Sequence, residues 1–349
     1  MLESAPESPA VFAIFAASGE PYLSRTTNLR FRLRRLLSPQ GRLLSLLTVA
    51  ERVEIQLTAS RLETWLTHYE WAKRYYPTDW SKRVKLARPA YIKVLMGQQY
   101  PRTQVTRRLT AGPNRFFGPF RTRAQAELFE SQLLDLFQVR RCREDLTPAP
   151  DHPGCPYGEM NLCLRPCQQA VTPQEYRAEV ARLEAFLASG GSALRDAIAA
   201  ARDRASDQLQ FEEALRQHRR LEKVEQVRRL RDELSAELES LCGLAVLPAV
   251  EPQTVRLQPF VSGWFQPAVL FPIGGAGQSL DARLRARVES LPETRGTAAE
   301  RAEHTAILAQ WYYSPARDGI WIPYPVSYRK LVRAVRAVAT ARPPSPTTS

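Results

Sequence analysis

Residues 142–167 read CREDLTPAPDHPGCPYGEMNLCLRPC and place four cysteines, Cys142, Cys155, Cys163 and Cys167, in a C-x12-C-x7-C-x3-C pattern. Pro148, Pro150, Pro153, Gly154, Pro156 and Gly158 fall among them. Such turn-forming residues break helices and strands, and few large apolar side chains are present to build a core. A ligated metal would order the segment, because ligation free energy adds to folding free energy. The chain opens MLESAPES, with neither a basic nor an apolar leader region, so a cytoplasmic location with reduced thiols is expected. A metal or iron–sulfur site, a vestigial set of free thiols and a pair of disulfides all remain open from the spacing. Zinc and a 4Fe–4S cluster both accept four thiolates, and spacing does not separate them. Cys242 lies apart, at the predicted end of a helix, where a small buried apolar role suits it.

Outward from this segment the chain divides by composition. Its 349 residues suit two or three domains, and no apolar run approaches a membrane-spanning length. The formal net charge is +13. Residues 20–45 hold six Arg against one Glu, and residues 73–108 hold ten Lys or Arg against Asp79. The basic excess is therefore N-terminal, which favours a polyanionic partner, most simply nucleic-acid phosphate.

The apolar run 10–16 and Tyr22-Leu23-Ser24 predict a β-hairpin turning near Gly19. Asn28 starts a basic helix with Leu29, Leu33, Leu36 and Leu37 on one face. Residues 53–57 predict a third strand. Ser60 and Glu63 form a capping box for a helix reaching Tyr76 and stopped by Pro77. Residues 91–94 and 104–106 predict strands, residues 116–120 (FFGPF) an aromatic turn, and residues 123–137 a helix. Thr172-Pro173 opens a further helix. A second helix is predicted over 193–207 and a third over 211–241, with Leu221, Val224, Val227, Leu230, Leu234, Leu238 and Leu241 along one side. Together they suggest an antiparallel helical hairpin. Beyond residue 244, strands are predicted over 255–257, 268–273 and 320–323, with a Gly-rich turn at 274–277. That turn lacks the Lys-Ser/Thr of a phosphate loop. Helices are predicted over 297–313 and 328–340, and a disordered end from Arg342.

The order hairpin, basic helix, strand, helix, FFGPF and cysteine cluster resembles the N-terminal half of the UvrC family, the incision subunits of nucleotide-excision repair. Pro9-Ala10-Val11-Phe12, Tyr22-Leu23-Ser24-Arg25, Asn28-Leu29 and Arg32 stand where the family's GIY-YIG nuclease motifs stand. Tyr91-Ile92-Lys93, Pro101-Arg102, Thr106-Arg107-Arg108 and Phe117-Gly118-Pro119-Phe120 resemble later motifs. The resemblance covers roughly residues 9–240 and implies an α+β fold. A small GIY-YIG-type mixed sheet with helices (residues 1–100) leads to a connector with the FGPF turn and the four cysteines (101–170). A UVR-like helical region (171–243) and a small α/β tail (244–349) follow. The family's RNase H-like and helix-hairpin-helix domains are not expected in this chain.

The resemblance implies a catalytic set of Tyr22, Arg25, Arg32 and His68. It also implies DNA contacts from Arg25, Arg30, Arg32, Arg35, Lys93, Arg107 and Arg108, and a metal or 4Fe–4S cluster at Cys142, Cys155, Cys163 and Cys167. The set departs from the family. Phe12 replaces the first tyrosine and has no hydroxyl, Ser24 replaces a glycine, and His68 takes the place of the glutamate that binds the divalent metal. Magnesium prefers hard oxygen ligands. Glu63 and Glu70 fall about 140° and 160° from His68 around the helix and do not share its face. Leu209-Gln210-Phe211-Glu212-Glu213-Ala214 resembles the UVR motif that docks on the UvrB helicase subunit, implying partner contacts at Phe211, Glu212 and Ala214. The motif's Arg-Asp pair appears as His218-Arg219, and Phe211 in the core of the helical hairpin is the competing reading. The implied activity is DNA incision; the alternative is a non-catalytic DNA-binding or adaptor paralogue.

Overall fold

The computed structural model describes residues 5–36, 50–274, 278–290 and 294–340. Leu37 of the predicted helical stripe, residues 275–277 of the Gly-rich turn and the predicted disordered end lie outside the described residues. The fold is α+β, and its strand pairs are antiparallel. Compactness groups the chain into two units. One joins residues 1–87, 242–296 and 306–349; the other joins 88–241 and 297–305. Apart from residues 297–305, the chain beyond residue 242 thus groups with the N-terminal module.

In the first unit β1 (Ala10–Ala16) pairs with β2 (Tyr22–Thr26) on one side and with β3 (Ala50–Leu57) on the other, in the order β2-β1-β3. Gly19 supplies the positive φ of the hairpin turn, at +93°. Helix α1 (Leu29–Leu36) starts as expected, with the Phe31 amide donating to Asn28 Oδ1 at 2.9 Å. Its Leu29, Leu33 and Leu36 pack on Ala10, Phe12 and Ile14, the alternate residues that one face of β1 presents. The other face meets α2 (Arg61–Tyr75), which touches β1 and β2 and buries Leu62, Leu66, Tyr69 and Ala72. Ser60 caps α2 by accepting from the Glu63 amide. The Glu63 carboxylate returns to the Ala59 amide rather than to Ser60, so only half of the predicted box forms. A short α3 (Trp80–Arg83) follows.

The second sheet of this unit runs β10-β9-β8-β12, with β11 also on β9. Its strands are β8 (Gly243–Pro248), β9 (Thr254–Val261), β10 (Trp264–Phe265), β11 (Val269–Pro272) and β12 (Ile320–Pro323). Cys242 precedes β8 instead of ending a helix, and its Sγ accepts from the Ser262 amide at 3.4 Å.

The second unit is built on β4 (Ala90–Val94), β5 (Thr103–Thr106), β6 (Arg115–Phe120) and β7 (Ala236–Glu237), in the order β5-β4-β6-β7. FFGPF is therefore a strand, not a turn: Phe117 lies opposite Ile92 on β4 and Glu237 on β7. Gly118 is required there, because a Cβ would sit 2.8 Å from Tyr91 Cδ1 and 3.0 Å from the Ala90 carbonyl. Helix α4 (Arg123–Leu134) and the short α5 (Pro156–Glu159) precede α6 (Pro173–Ser189), whose capping box from Thr172 and Glu175 forms fully. Helices α7 (Ser192–Asp207) and α8 (Phe211–Arg229) make the antiparallel hairpin. Helix α8 stops twelve residues short of the predicted Leu241. Beyond it, Asp232 accepts from the Arg121 amide at 2.7 Å and the Leu238 amide donates to Phe116 O at 2.8 Å. Leu234, Leu238 and Leu241 are buried, but by this turn and strand rather than by a helical stripe. Two more helices, α9 (Leu280–Glu289) and α10 (Ala298–Tyr312), and the last, α11 (Tyr328–Thr340), complete the chain. Helices α9 and α11 cover the second sheet of the first unit. No described helix is long and apolar enough to cross a membrane.

Candidate functional site

Tyr22 and Arg25 leave the same strand three residues apart, so the pleat sends them to opposite faces of the three-stranded sheet. Tyr22 goes to the α1 face. Its ring lies 6.4 Å from that of Phe12, and its Oη accepts from Arg32 Nη2 at 3.3 Å. Phe12 is fully buried and offers only hydrocarbon at the position of the expected tyrosine. Arg32 Nε, also buried, has no hydrogen-bond partner among the described residues.

Arg25 goes to the α2 face. Its guanidinium lies 5.8 Å from the centroid of the Trp65 ring. Together with Trp65, His68, Arg83, Lys85 and Gln310 it lines a cavity of about 240 Å³. Burial, and then the Arg25 charge, push the His68 imidazole down to about 4, so it is neutral at pH 7. The neighbouring Glu63 does not serve this cavity: its carboxylate is bound to Arg256 at 3.0 Å and to the Ala59 amide at 2.9 Å. Burial still raises the Glu63 pKa above the usual carboxylate value. The expected catalytic residues thus form two pairs, Tyr22 with Arg32 and Arg25 with His68, on opposite faces of one sheet.

The expected DNA contacts are distributed. Arg30 is tied to Glu7 at 2.7 Å and donates to the Ala5 carbonyl, while Arg34 and Arg35 are exposed. Lys93, Arg107 and Arg108 belong to the second unit. Lys93 donates to Thr110 at 3.0 Å and lies over the Phe116 ring, whereas Arg107 and Arg108 are exposed.

The cysteine segment is ordered by its own backbone. Ala149 donates to the Cys167 carbonyl at 2.9 Å, Leu164 to Gln138 O at 3.1 Å, and Gly158 to Cys155 O at 2.9 Å. Cys163 and Cys167 are buried, and Cys142 and Cys155 are partly so. Burial lifts the Cys163 thiol to about 11, with smaller upward contributions from Cys142, Cys155 and Cys167 as neighbours. The four thiols therefore share one electrostatic neighbourhood, and all are free of disulfides. Among the described residues no group of three or more His, Cys, Asp or Glu side chains is arranged to hold an ion. As placed, the thiols are neighbours and not a closed ligand set.

At the tip of the helical hairpin, Leu209 and Phe211 are 71% and 68% exposed, which corrects the reading of Phe211 as hairpin core. Leu209 holds a left-handed backbone, φ +58°, as the chain enters α8. Glu212 is exposed beside Phe211, and Ala214 is partly buried.

Trp65, Lys85 and Gln310 escaped the sequence reading. Trp65 carried a signal, since it stands three residues before His68 on one helix. Gln310 carried none, being distant in the chain.

A family model described as the UvrC/Cho excinuclease middle domain matches residues 90–186. The chain is 32% identical over 198 residues to the UvrABC system protein C of Arthrobacter sp., a match covering 54% of this chain and 29% of that protein. It is 28% identical over 227 residues to the protein of the same name from Moorella thermoacetica, covering 64% and 36%. For Carboxydothermus hydrogenoformans the identity is 26% over 218 residues, covering 61% and 36%. The matched stretch spans about a third of the length of these relatives. No solved structure matches the chain significantly.

Proposed function

Since the chain belongs to the UvrC family, we propose that it works in nucleotide-excision repair as a DNA-binding protein whose N-terminal module grips phosphate without incising by itself. The observation that carries this reading is the environment of His68. Where the family's chemistry needs a carboxylate for a divalent cation, this chain presents a neutral imidazole beside the Arg25 guanidinium. A fixed positive charge and a nitrogen ligand disfavour magnesium. Glu63, an acidic alternative on the same helix, is held by Arg256. Arg32, held by the Tyr22 Oη, keeps a positive charge that a phosphate oxygen can meet.

Two accessory roles belong to the same proposal. The exposed Phe211, with Glu212 and Ala214, is the docking point for a helicase partner of the UvrB kind, since a solvated aromatic at a helix start suits an anchor better than a core. The four cysteines are the seat of a thiolate-bound iron–sulfur cluster or zinc. Neighbouring thiols that raise one another's pKa would be stabilised as thiolates by a cation among them. A cytoplasmic setting, where thiols stay reduced, fits that role.

The test is binding and cleavage of duplex DNA by the purified chain. Affinity should fall with salt, with a log–log slope of about −0.9 per phosphate neutralised, and Mg²⁺ or Mn²⁺ should produce no nicks. A flat salt response would reject phosphate-driven binding. Metal-dependent nicking that vanishes in Tyr22→Phe would show an active nuclease instead.

A further inference from the structure

The cavity on the α2 face has features that a duplex backbone does not require. We propose that it receives a single unpaired nucleotide of a DNA strand, with the base against Trp65 and the adjoining phosphate between Arg25 and Lys85. This inference rests on the DNA-binding role proposed above and specifies its ligand.

Four observations support it. First, the cavity combines an aromatic face with cations. Trp65 forms one wall and Arg25 stands 5.8 Å from its ring centroid, so a π-surface and a positive charge are adjacent, as a base with its phosphate needs. Second, its charge is uncompensated. Among the described residues no carboxylate lines the cavity, and neither Arg25 nor Lys85 has an acidic partner. Arg83 also borders it, but Arg83 is committed to Glu20 at 2.5 Å and stacks on Tyr76 at 3.7 Å. Third, two neutral polar groups, the His68 imidazole and the Gln310 amide, each offer both a donor and an acceptor for the edge of a base. Fourth, the size is restrictive. About 240 Å³ is below the roughly 300–1,000 Å³ of sites for drug-sized ligands and excludes a duplex. Two free cations suit one phosphate better than a nucleoside triphosphate.

The experiment measures binding of the full chain to four probes by fluorescence anisotropy. These are a paired duplex, the same duplex with one bulged nucleotide, the duplex with an abasic bulge, and free deoxyadenosine monophosphate. The bulged duplex should bind about 10-fold tighter than the paired one, the order expected of one stacked base. The abasic bulge should lose that gain, and the mononucleotide should bind weakly. Trp65→Leu should abolish the preference and Trp65→Phe should retain it, which separates stacking from folding. Lys85→Gln should weaken the two bulged probes and lower their salt slope by about 1, and should leave the paired duplex unchanged. Equal affinity for base-containing and abasic bulges, or a preference that survives Trp65→Leu, would overturn the proposal while leaving the DNA-binding role intact. Tight mononucleotide binding without bulge preference would also overturn it. Failure to bind any DNA would remove both readings.

Discussion

His68 makes a quantitative test of the N-terminal module. An imidazole free in the unfolded chain takes up a proton near pH 6.5, whereas burial and Arg25 hold the folded one at about 4. The folded pKa is lowered, so the unfolded state binds more protons as pH falls, and stability must fall with it. The window runs from about 6.5 down to about 4. Over the interval from about pH 7.5 to about pH 5 the linkage amounts to about 2 kcal/mol, since the unfolded imidazole is almost fully charged at the lower pH and the folded one almost fully neutral. Urea unfolding of the chain and of His68→Gln at both pH values isolates this contribution, because the variant keeps a polar side chain of similar size but does not titrate. The parent should lose about 2 kcal/mol more than the variant. NMR titration of the His68 ring reads the same quantity directly: it should titrate near 4 and not near 6.5. Identical pH dependence in the two proteins, or a His68 titration near 6.5, would show that the imidazole is solvated and that Arg25 does not face it.

Four other outcomes follow. Arg256→Ala strands the buried Glu63 carboxylate and should cost about 3–5 kcal/mol at neutral pH by chemical denaturation. Gly118→Ala forces a Cβ against Tyr91 and the Ala90 carbonyl and should lower the second unit's stability by about 1–3 kcal/mol, read as an earlier urea midpoint. Phe211→Ala removes an exposed ring, so stability should move by less than about 0.5 kcal/mol. Its binding to a helicase partner, measured by calorimetry, should drop if the hairpin tip is the anchor. Anaerobically purified chain should carry zinc by elemental analysis, or iron with a broad visible absorption band. Substituting Cys163 by Ser should release it, and a metal-free, equally stable parent would reject the proposed site.

Local chemistry was legible in the sequence where it acts locally. The turn at Gly19, the caps at Asn28, Ser60 and Thr172, and the helical starts all follow from residues a few positions apart. What escaped depends on distant partners. FFGPF looks like a turn because Gly and Pro punctuate it, yet β4 and β7 on its two sides make it a strand. The Leu234, Leu238 and Leu241 spacing continues the period of α8, but Asp232 and Leu238 are drawn to the backbone of residues 116–121. Alternation along β2 predicts that Tyr22 and Arg25 diverge, a consequence that motif matching alone hides. Trp65 was within reach from its spacing to His68, while Lys85 and Gln310 required the folded chain.

The grouping of residues 1–87 with residues beyond 242 has a consequence for biosynthesis. Glu63 leaves the ribosome 193 residues ahead of Arg256, the cation that neutralises it. At about 5–20 residues per second, its carboxylate waits roughly 10–40 s for that partner. The cysteine segment and the helical hairpin are translated in the interval. The nascent N-terminal module therefore passes through a stage in which its future interior charge must stay hydrated, and a chaperone meeting the chain then would find that module unfinished.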